Sequence, residues 1–261
     1  MVHLQIDTKS LVSTVTISRP EKRNALNADL VTGLTDMFVS LSDDESCRVI
    51  VLSGTGNTFS AGADLQALEA MQSASFEENA EDSRALANLF RAIRTCRKPV
   101  IARVNGHAIA GGLGLLLACD YAVVVSEARL GFPETRIGMV PALVAVLLRE
   151  RTGALVQRDI LLSGRLFSAD EALRYGLISS VASPETLDDM VTELALELVH
   201  NTSSQAVGAT KMLLHDISSL AFDDALEYAI LANAKARESE DCRAGISAFL
   251  ARTDPPWKVR S

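Results

Sequence analysis

The chain has 261 residues, 48% of them hydrophobic and 22% charged, a balance that supports a packed core and excludes disorder as a description of the whole. At roughly 100 to 200 residues per domain, this is one large domain or one domain with an appendage. The 33 acids outweigh the 25 Lys and Arg by a formal charge of -8, which disfavours nonspecific binding to a nucleic-acid backbone.

The N-terminal MVHLQIDTKS carries an acid and alternates polar with apolar residues, so no secretory leader is expected there. Val15 and Ile17 then alternate with Thr14 and Thr16, predicting a half-buried strand that stops at Arg19 and Pro20. Asn27 is a good N-cap, and Leu30, Leu34, Met37, Phe38 and Leu41 recur at helical spacing after it. Val49 to Leu52 is a continuous β-branched run, as expected of a strand covered on both faces, which implies parallel pairing.

The alternation repeats. A polar helix with Leu86, Leu89, Phe90 and Ile93 on one face leads to a strand at Val100 to Val104. A glycine-punctuated turn and a short apolar helix follow, then a strand at Tyr121 to Val125. Strand, helix, strand requires crossovers, so the first two thirds read as α/β with a mainly parallel sheet. The apolar stretch Ala108 to Cys119 contains Gly111, Gly112 and Gly114 and is far shorter than the roughly 20 residues of a membrane span. No membrane partner is expected.

After residue 150 strands nearly vanish. Ser168 with Glu171 forms a capping box for a helix ending near Gly176, and Ser183 with Pro184 opens a longer one carrying Leu187, Met190, Val191, Leu194 and Leu198. Residues 203–250 are almost wholly helical in pattern. This divides the chain into a core at 1–200 and a helical region at 201–261. Cys47, Cys96, Cys119 and Cys242 lack C-x-x-C spacing and are expected to be reduced and mostly buried, suiting the cytoplasm. His3, His200 and His215 sit in no metal-ligand spacing, and no metal is expected.

Two glycine-bearing turns each join a buried strand to a helix: GTGNTFSAGADL at 54–65 and NGHAIAGGLG at 105–114. Such turns let a backbone approach a ligand closely, and the first N–H groups of the next helix can bind a developing negative oxygen. Neither matches the G-x-x-x-x-G-K-[ST] P-loop, and no G-x-S-x-G elbow is present.

Together and in this order, the two turns resemble the crotonase family, the enoyl-CoA hydratase and isomerase superfamily. The likeness covers nearly the whole chain: ISRPEKRNALN at 17–27, FSAGADL at 59–65, KPVIARVNGHAIAGGLGLLLACDYAV at 98–123, LGFPETRIGMVP at 130–141, LLSGRLFSADEALRYGLI at 161–178 and AGISAFL at 244–250. The resemblance implies a spiral core of ββα units with a C-terminal helical region that assembles trimers or hexamers. It implies an acyl-CoA thioester as substrate, with coenzyme A entering as part of that substrate and no separate cofactor.

Carried onto this sequence, the family's oxyanion hole falls on the backbone N–H groups of Ala63 and Gly111, and its acid/base on Glu134. Coenzyme A contacts fall on Lys22, Arg23, Ala25, Ala61, Asp64, Leu65, Gln66 and Arg252, with Lys258 beside the last. Asp64 also reads as the N-cap of the following helix, and His107 as a packing or hydrogen-bonding residue. Most hydratases of the family use two glutamates, and the place of the first is taken here by Gly114. That departure leaves three readings open: water addition to an α,β-unsaturated acyl-CoA through an oxyanion-stabilised enolate, double-bond isomerisation by one glutamate, or a noncatalytic acyl-CoA-binding scaffold. AGGLGL and RIGMVPALVAVLL, at 136–148, resemble the methylglutaconyl-CoA hydratase-like branch and tip the choice toward hydratase.

Overall fold

In the computed structural model, which describes residues 3–258 apart from the Leu65 side chain, strands and helices wind into two sheets. Strands β1 (Leu4–Lys9) and β2 (Val12–Ile17) form an antiparallel pair. Only β2 carries the alternating burial expected of it, with Ser13, Val15 and Ile17 turned inward. Helix α1 (Ala28–Asp43) starts where the Asn27 side chain accepts from the Leu30 N–H, and it buries Leu30, Leu34, Met37, Phe38 and Leu41.

Next come β3 (Val49–Gly54), buried along its whole length, β4 (Thr58–Ser60), α2 (Leu65–Met71) and α3 (Phe76–Thr95). Then follow β5 (Val100–Val104), β6 (His107–Ile109), α4 (Gly111–Ala118), β7 (Tyr121–Val125), β8 (Arg129–Gly131), a 3-10 turn at Pro133–Ile137 and α5 (Ala142–Arg151). The final stretch is α6 (Ala154–Ser163), β9 (Leu166–Ser168), α7 (Ala169–Arg174), β10 (Ser180–Ala182), α8 (Leu187–Asn201), α9 (Ser204–Ile217), α10 (Phe222–Ala236) and α11 (Glu240–Ala251).

The larger sheet has the order β1-β2-β3-β5-β7-β10 and is parallel from β2 onward; the smaller has the order β4-β6-β8-β9. Three central strands of the first are each followed by a short strand of the second and then by a helix: β3 to β4, β5 to β6, β7 to β8. This is the spiral of ββα units that the resemblance implies. The second sheet and β1 go beyond the sequence reading. Strands of three residues show no measurable periodicity, and β1 is exposed at nearly every position, so it has no alternation to read.

The Ser168–Glu171 capping box forms as expected. Ser183 does not cap the long helix: its N–H donates to the Thr186 hydroxyl in a turn, and α8 begins only at Leu187. Cys47, Cys96 and Cys119 are buried free thiols, and burial pushes Cys119 up to about 12, which makes it unreactive. In the helical region, Lys211 of α9 reaches back to the core. Its Nζ donates to the carbonyls of Ile93 and Lys98 and lies 2.6 Å from Asp120 Oδ2. The Trp257 ring docks on α11, 2.9 Å from where a Cβ on Gly245 would stand. Among the described residues, no helix is long and apolar enough to cross a membrane.

Candidate active site

Three short parallel strands bring the site together. β6 pairs with β4 through Thr58↔His107 and Ser60↔Ala108, and with β8 through Ala108↔Leu130 and Ile109↔Gly131. Their carboxyl ends therefore open side by side, and they deliver Ala61 to Asp64, Ala110 to Gly111, and Phe132 to Glu134 to one edge. Carboxyl ends of parallel strands are where α/β folds place ligands.

The main chain fixes where the amides point. Leu26 and Ala63 form a parallel bridge in which Leu26 N–H donates to Gly62 O at 2.7 Å and Asp64 N–H donates to Leu26 O at 2.9 Å. In a parallel bridge both bonds belong to the groups flanking one partner, so the N–H of Ala63 itself faces away from Leu26. Ala110 N–H donates to Gly131 O, while Gly111 N–H heads α4, one of the first-turn donors that a helix cannot satisfy. Among the described residues, neither the Ala63 nor the Gly111 N–H has a backbone acceptor.

The two turns touch. A Cβ on Gly62, whose φ is +84°, would lie 2.8 Å from Ile109 O, 2.9 Å from Ala110 Cβ and 3.3 Å from Gly111 N. Only glycine permits that approach. Gly112 is held as tightly, its absent Cβ falling 2.3 Å from Ser60 O. Ala110 adopts φ 51°, ψ -123°, a region that residues with a Cβ rarely enter. Strain of this kind costs about 1–3 kcal/mol and concentrates at functional sites.

Glu134 stands in the 3-10 turn after β8, three residues beyond Gly131. Its carboxyl is half buried, and burial raises its pKa above the ordinary glutamate value. Its Oε2 is buried with no hydrogen-bond partner in the protein. A buried carboxylate oxygen left unpaired is costly unless a ligand uses it. Above the Gly111 turn the surroundings are apolar: Leu26 Cδ1 and Leu86 Cδ2 lie 3.4 and 3.8 Å from the position of a Gly111 Cβ.

One helical turn on, Gly114 faces a filled space. Its Cβ would meet Phe90 Cζ at 2.6 Å and Val144 Cγ1 at 3.0 Å. Both side chains are almost wholly buried. Where a first glutamate would begin, an aromatic ring and a methyl group stand instead.

The remaining expected contacts divide. Asp64 caps α2 by accepting from Gln66 N–H at 2.9 Å, and its other oxygen is engaged by Arg19, so its carboxylate is already committed. The Gln66 N–H and then Arg19 hold its pKa below the usual carboxylate value against burial. Ala25 is buried and its carbonyl accepts from Arg19. Ala61 N–H donates to Arg23 O, which joins the basic turn of Lys22 and Arg23 to the same edge, with both side chains exposed. Gln66 is exposed; the Leu65 side chain lies outside the described residues. Arg252 is the exposed C-cap of α11, a helix that packs on α9. Lys258 pairs with Asp254 at 2.8 Å. His107 is exposed, and its Nδ1 accepts from Arg129 N–H. Among the described residues, no cluster of three or more His, Cys, Asp or Glu could hold a metal ion.

Residues 7–260 match the family model described as enoyl-CoA hydratase/isomerase. The chain belongs to that family. A Thermus thermophilus relative that carries the name enoyl-CoA hydratase is 40% identical over 247 residues, covering 95% of this chain and 97% of the relative. Carnitinyl-CoA dehydratase of Citrobacter koseri is 33% identical, with 94% of each chain covered. Among solved structures, an enoyl-CoA hydratase of Mycobacterium smegmatis superposes with a TM-score of 0.92 at 30% identity, covering 97% of this chain and 98% of that one. AtuE of Pseudomonas aeruginosa superposes at 0.93 with 29% identity, covering 98% and 100%.

Within this enoyl-CoA hydratase/isomerase member, three features escape sequence reasoning: Arg19, and the ring and methyl of Phe90 and Val144. Their partners lie far away in sequence, and each residue alone reads as a strand end or as core. The signal available for the last two was the unexplained glycine at 114.

Proposed function

We propose that the chain is a hydratase-type acyl-CoA enzyme that adds water to an α,β-unsaturated thioester, and removes it in reverse, with Glu134 as its acid and base. The observation that carries this reading is the buried, unpartnered Oε2 of Glu134 at the strand edge that also bears the free amides of Ala63 and Gly111. The thioester oxygen accepts from both amides. Glu134, as carboxylate, takes a proton from water while the water oxygen bonds to the β-carbon. The double-bond electrons move onto the α-carbon and thioester oxygen as an enolate, and Glu134 returns its proton to the α-carbon. Water is added, and the carboxylate is regenerated. A donor aimed at such an oxygen contributes about 2.7–4 kcal/mol to the transition state. The raised pKa of Glu134 suits a group that must both take and return a proton. The names of the two relatives, a hydratase and a dehydratase, agree with this chemistry.

Isomerisation is the second reading, favoured by Phe90 and Val144 in the space beside Gly114. One carboxylate suffices to move a proton from the α-carbon to the γ-carbon of a 3-enoyl thioester. Incubation with crotonyl-CoA, 3-methylglutaconyl-CoA and 3-hexenoyl-CoA, followed by liquid chromatography with mass detection against 2-enoyl and 3-enoyl standards, separates these. A product heavier by one water supports the hydratase. An isobaric product from 3-hexenoyl-CoA supports the isomerase, and binding without turnover supports a scaffold.

The same proposal includes assembly into homotrimers or hexamers through the 201–261 region. Phe222, Ile230 and Leu231 of α10 and Phe249 and Leu250 of α11 are exposed apolar side chains that a second copy would cover. It also includes a cytoplasmic setting, which suits the free thiols, and no cofactor beyond the coenzyme A of the substrate.

A further inference from the structure

We infer that Arg19 is a positioning residue that aims the Ala63 N–H, an inference that rests on the reading of Ala63 as an oxyanion donor. Arg19 lies two residues after the Val12–Ile17 strand and heads the 3-10 turn at Pro20–Lys22; it is 6% exposed and has two arms in use. Its Nη2 lies 2.9 Å from Asp64 Oδ2, and its Nη1 donates to Ala25 O at 2.6 Å. Asp64 follows Ala63 directly, and Ala25 precedes Leu26, the bridge partner of Ala63. One guanidinium therefore grips both segments of the bridge, and the bridge sets the direction of the Ala63 N–H.

Capping alone does not explain the arrangement. Asp64 caps α2 through Oδ1 and Gln66 N–H, leaving Oδ2 for Arg19. Nor does stability explain it, because buried ion pairs can often be replaced by apolar groups at no loss. The Arg19 Nε is buried with no partner, a further cost of keeping a charged fork here. What a guanidinium supplies, and a lysine does not, is two donors at a fixed angle. Asn24 completes the frame: its Oδ1 accepts from Arg19 N–H, and its carbonyl accepts from the Ser60 hydroxyl.

The test measures how strongly the site polarises a thioester carbonyl. The infrared C=O stretch of a carbonyl-labelled acyl-CoA is recorded free and bound to the wild type, to Arg19→Lys, and to Arg19→Met combined with Asp64→Ser. The double variant removes both charges while keeping a capping hydroxyl at 64. Arg19→Lys keeps the pair charged and carries the test if the double variant does not fold. The wild type should shift the stretch to lower frequency. Both variants should bind with similar KM, shift the stretch less, and lose about ten- to a hundredfold in kcat, the scale of a misplaced catalytic group, with lysine retaining the larger share. A wild-type shift that persists in the variants, with kcat unchanged, overturns the inference alone. No shift in the wild type overturns the oxyanion reading and this inference with it.

Discussion

The ring tip of Phe90 stands 2.6 Å from where a side chain on Gly114 would begin. Real Cβ atoms do not approach that closely, so Phe90 and position 114 are complementary in size. Gly114→Ala should lower stability by about 1–3 kcal/mol, the usual cost of overpacking a core, and adding Phe90→Leu should recover most of it. Urea unfolding of the two single variants and the double variant measures the coupling. Additive effects would show that the ring yields freely.

Glu134→Gln should separate function from folding. Activity should fall by about 10²- to 10⁴-fold, the share of one acid/base group, seen as kcat on the substrate the wild type accepts.

Burial raises the Glu134 pKa, so the folded state favours the neutral acid. The associated stability is fully present below the unfolded glutamate value of about 4.3 and is lost as pH rises through the raised folded value. Glu134→Gln stays neutral throughout. It should match the wild type at acid pH and be the more stable protein at neutral pH, as thermal melts across the range would show. A variant less stable at neutral pH would mean that the carboxylate has a structural partner.

Ala110 occupies a conformation that favours glycine. Ala110→Gly relieves strain of about 1–3 kcal/mol and gives back part of it as chain entropy, about 0.5–1 kcal/mol. The melting temperature should stay level or rise. A drop equivalent to more than about 1 kcal/mol, on the scale of that entropy term, would mean that the Ala110 methyl packing against the Gly62 turn outweighs the strain.

The buried centre of this fold was legible in sequence, because Val49 to Leu52 and Val123 to Val125 are unbroken apolar runs and Val100 to Val104 is interrupted only by Arg103, which pairs with the exposed Asp188. The helix starts at Asn27, Asp64 and Ser168 were legible for a local reason: a cap and the N–H that donates to it lie two or three residues apart. What failed was either too short or too distant. The strands of the second sheet span three residues, and β1 is solvated. Arg19 meets Asp64 across 45 residues, with no pattern to announce it. Glu134 could be named from its motif, but its orphaned oxygen is a property of the folded surroundings alone.

Lys211 binds the helical region to the core with an 8% exposed side chain. Lys211→Met takes the ammonium away from Asp120, which keeps the Val100 N–H, and from two carbonyls; breaking a buried pair costs about 3–5 kcal/mol. Asp120 is 28% exposed and can draw on water, so the lower end applies. Thermal denaturation should show the loss; an unchanged melting temperature would mean that α9 docks without its ion pair.

The most direct measurement is a crystal structure with a non-reacting acyl-CoA thioester. The thioester oxygen should lie about 2.7–3.1 Å from both the Ala63 and Gly111 nitrogens, the range for a working oxyanion hole, with a Glu134 carboxylate oxygen facing the α- and β-carbons. A thioester bound elsewhere, or one whose oxygen meets neither amide while Glu134 points away, would contradict the account.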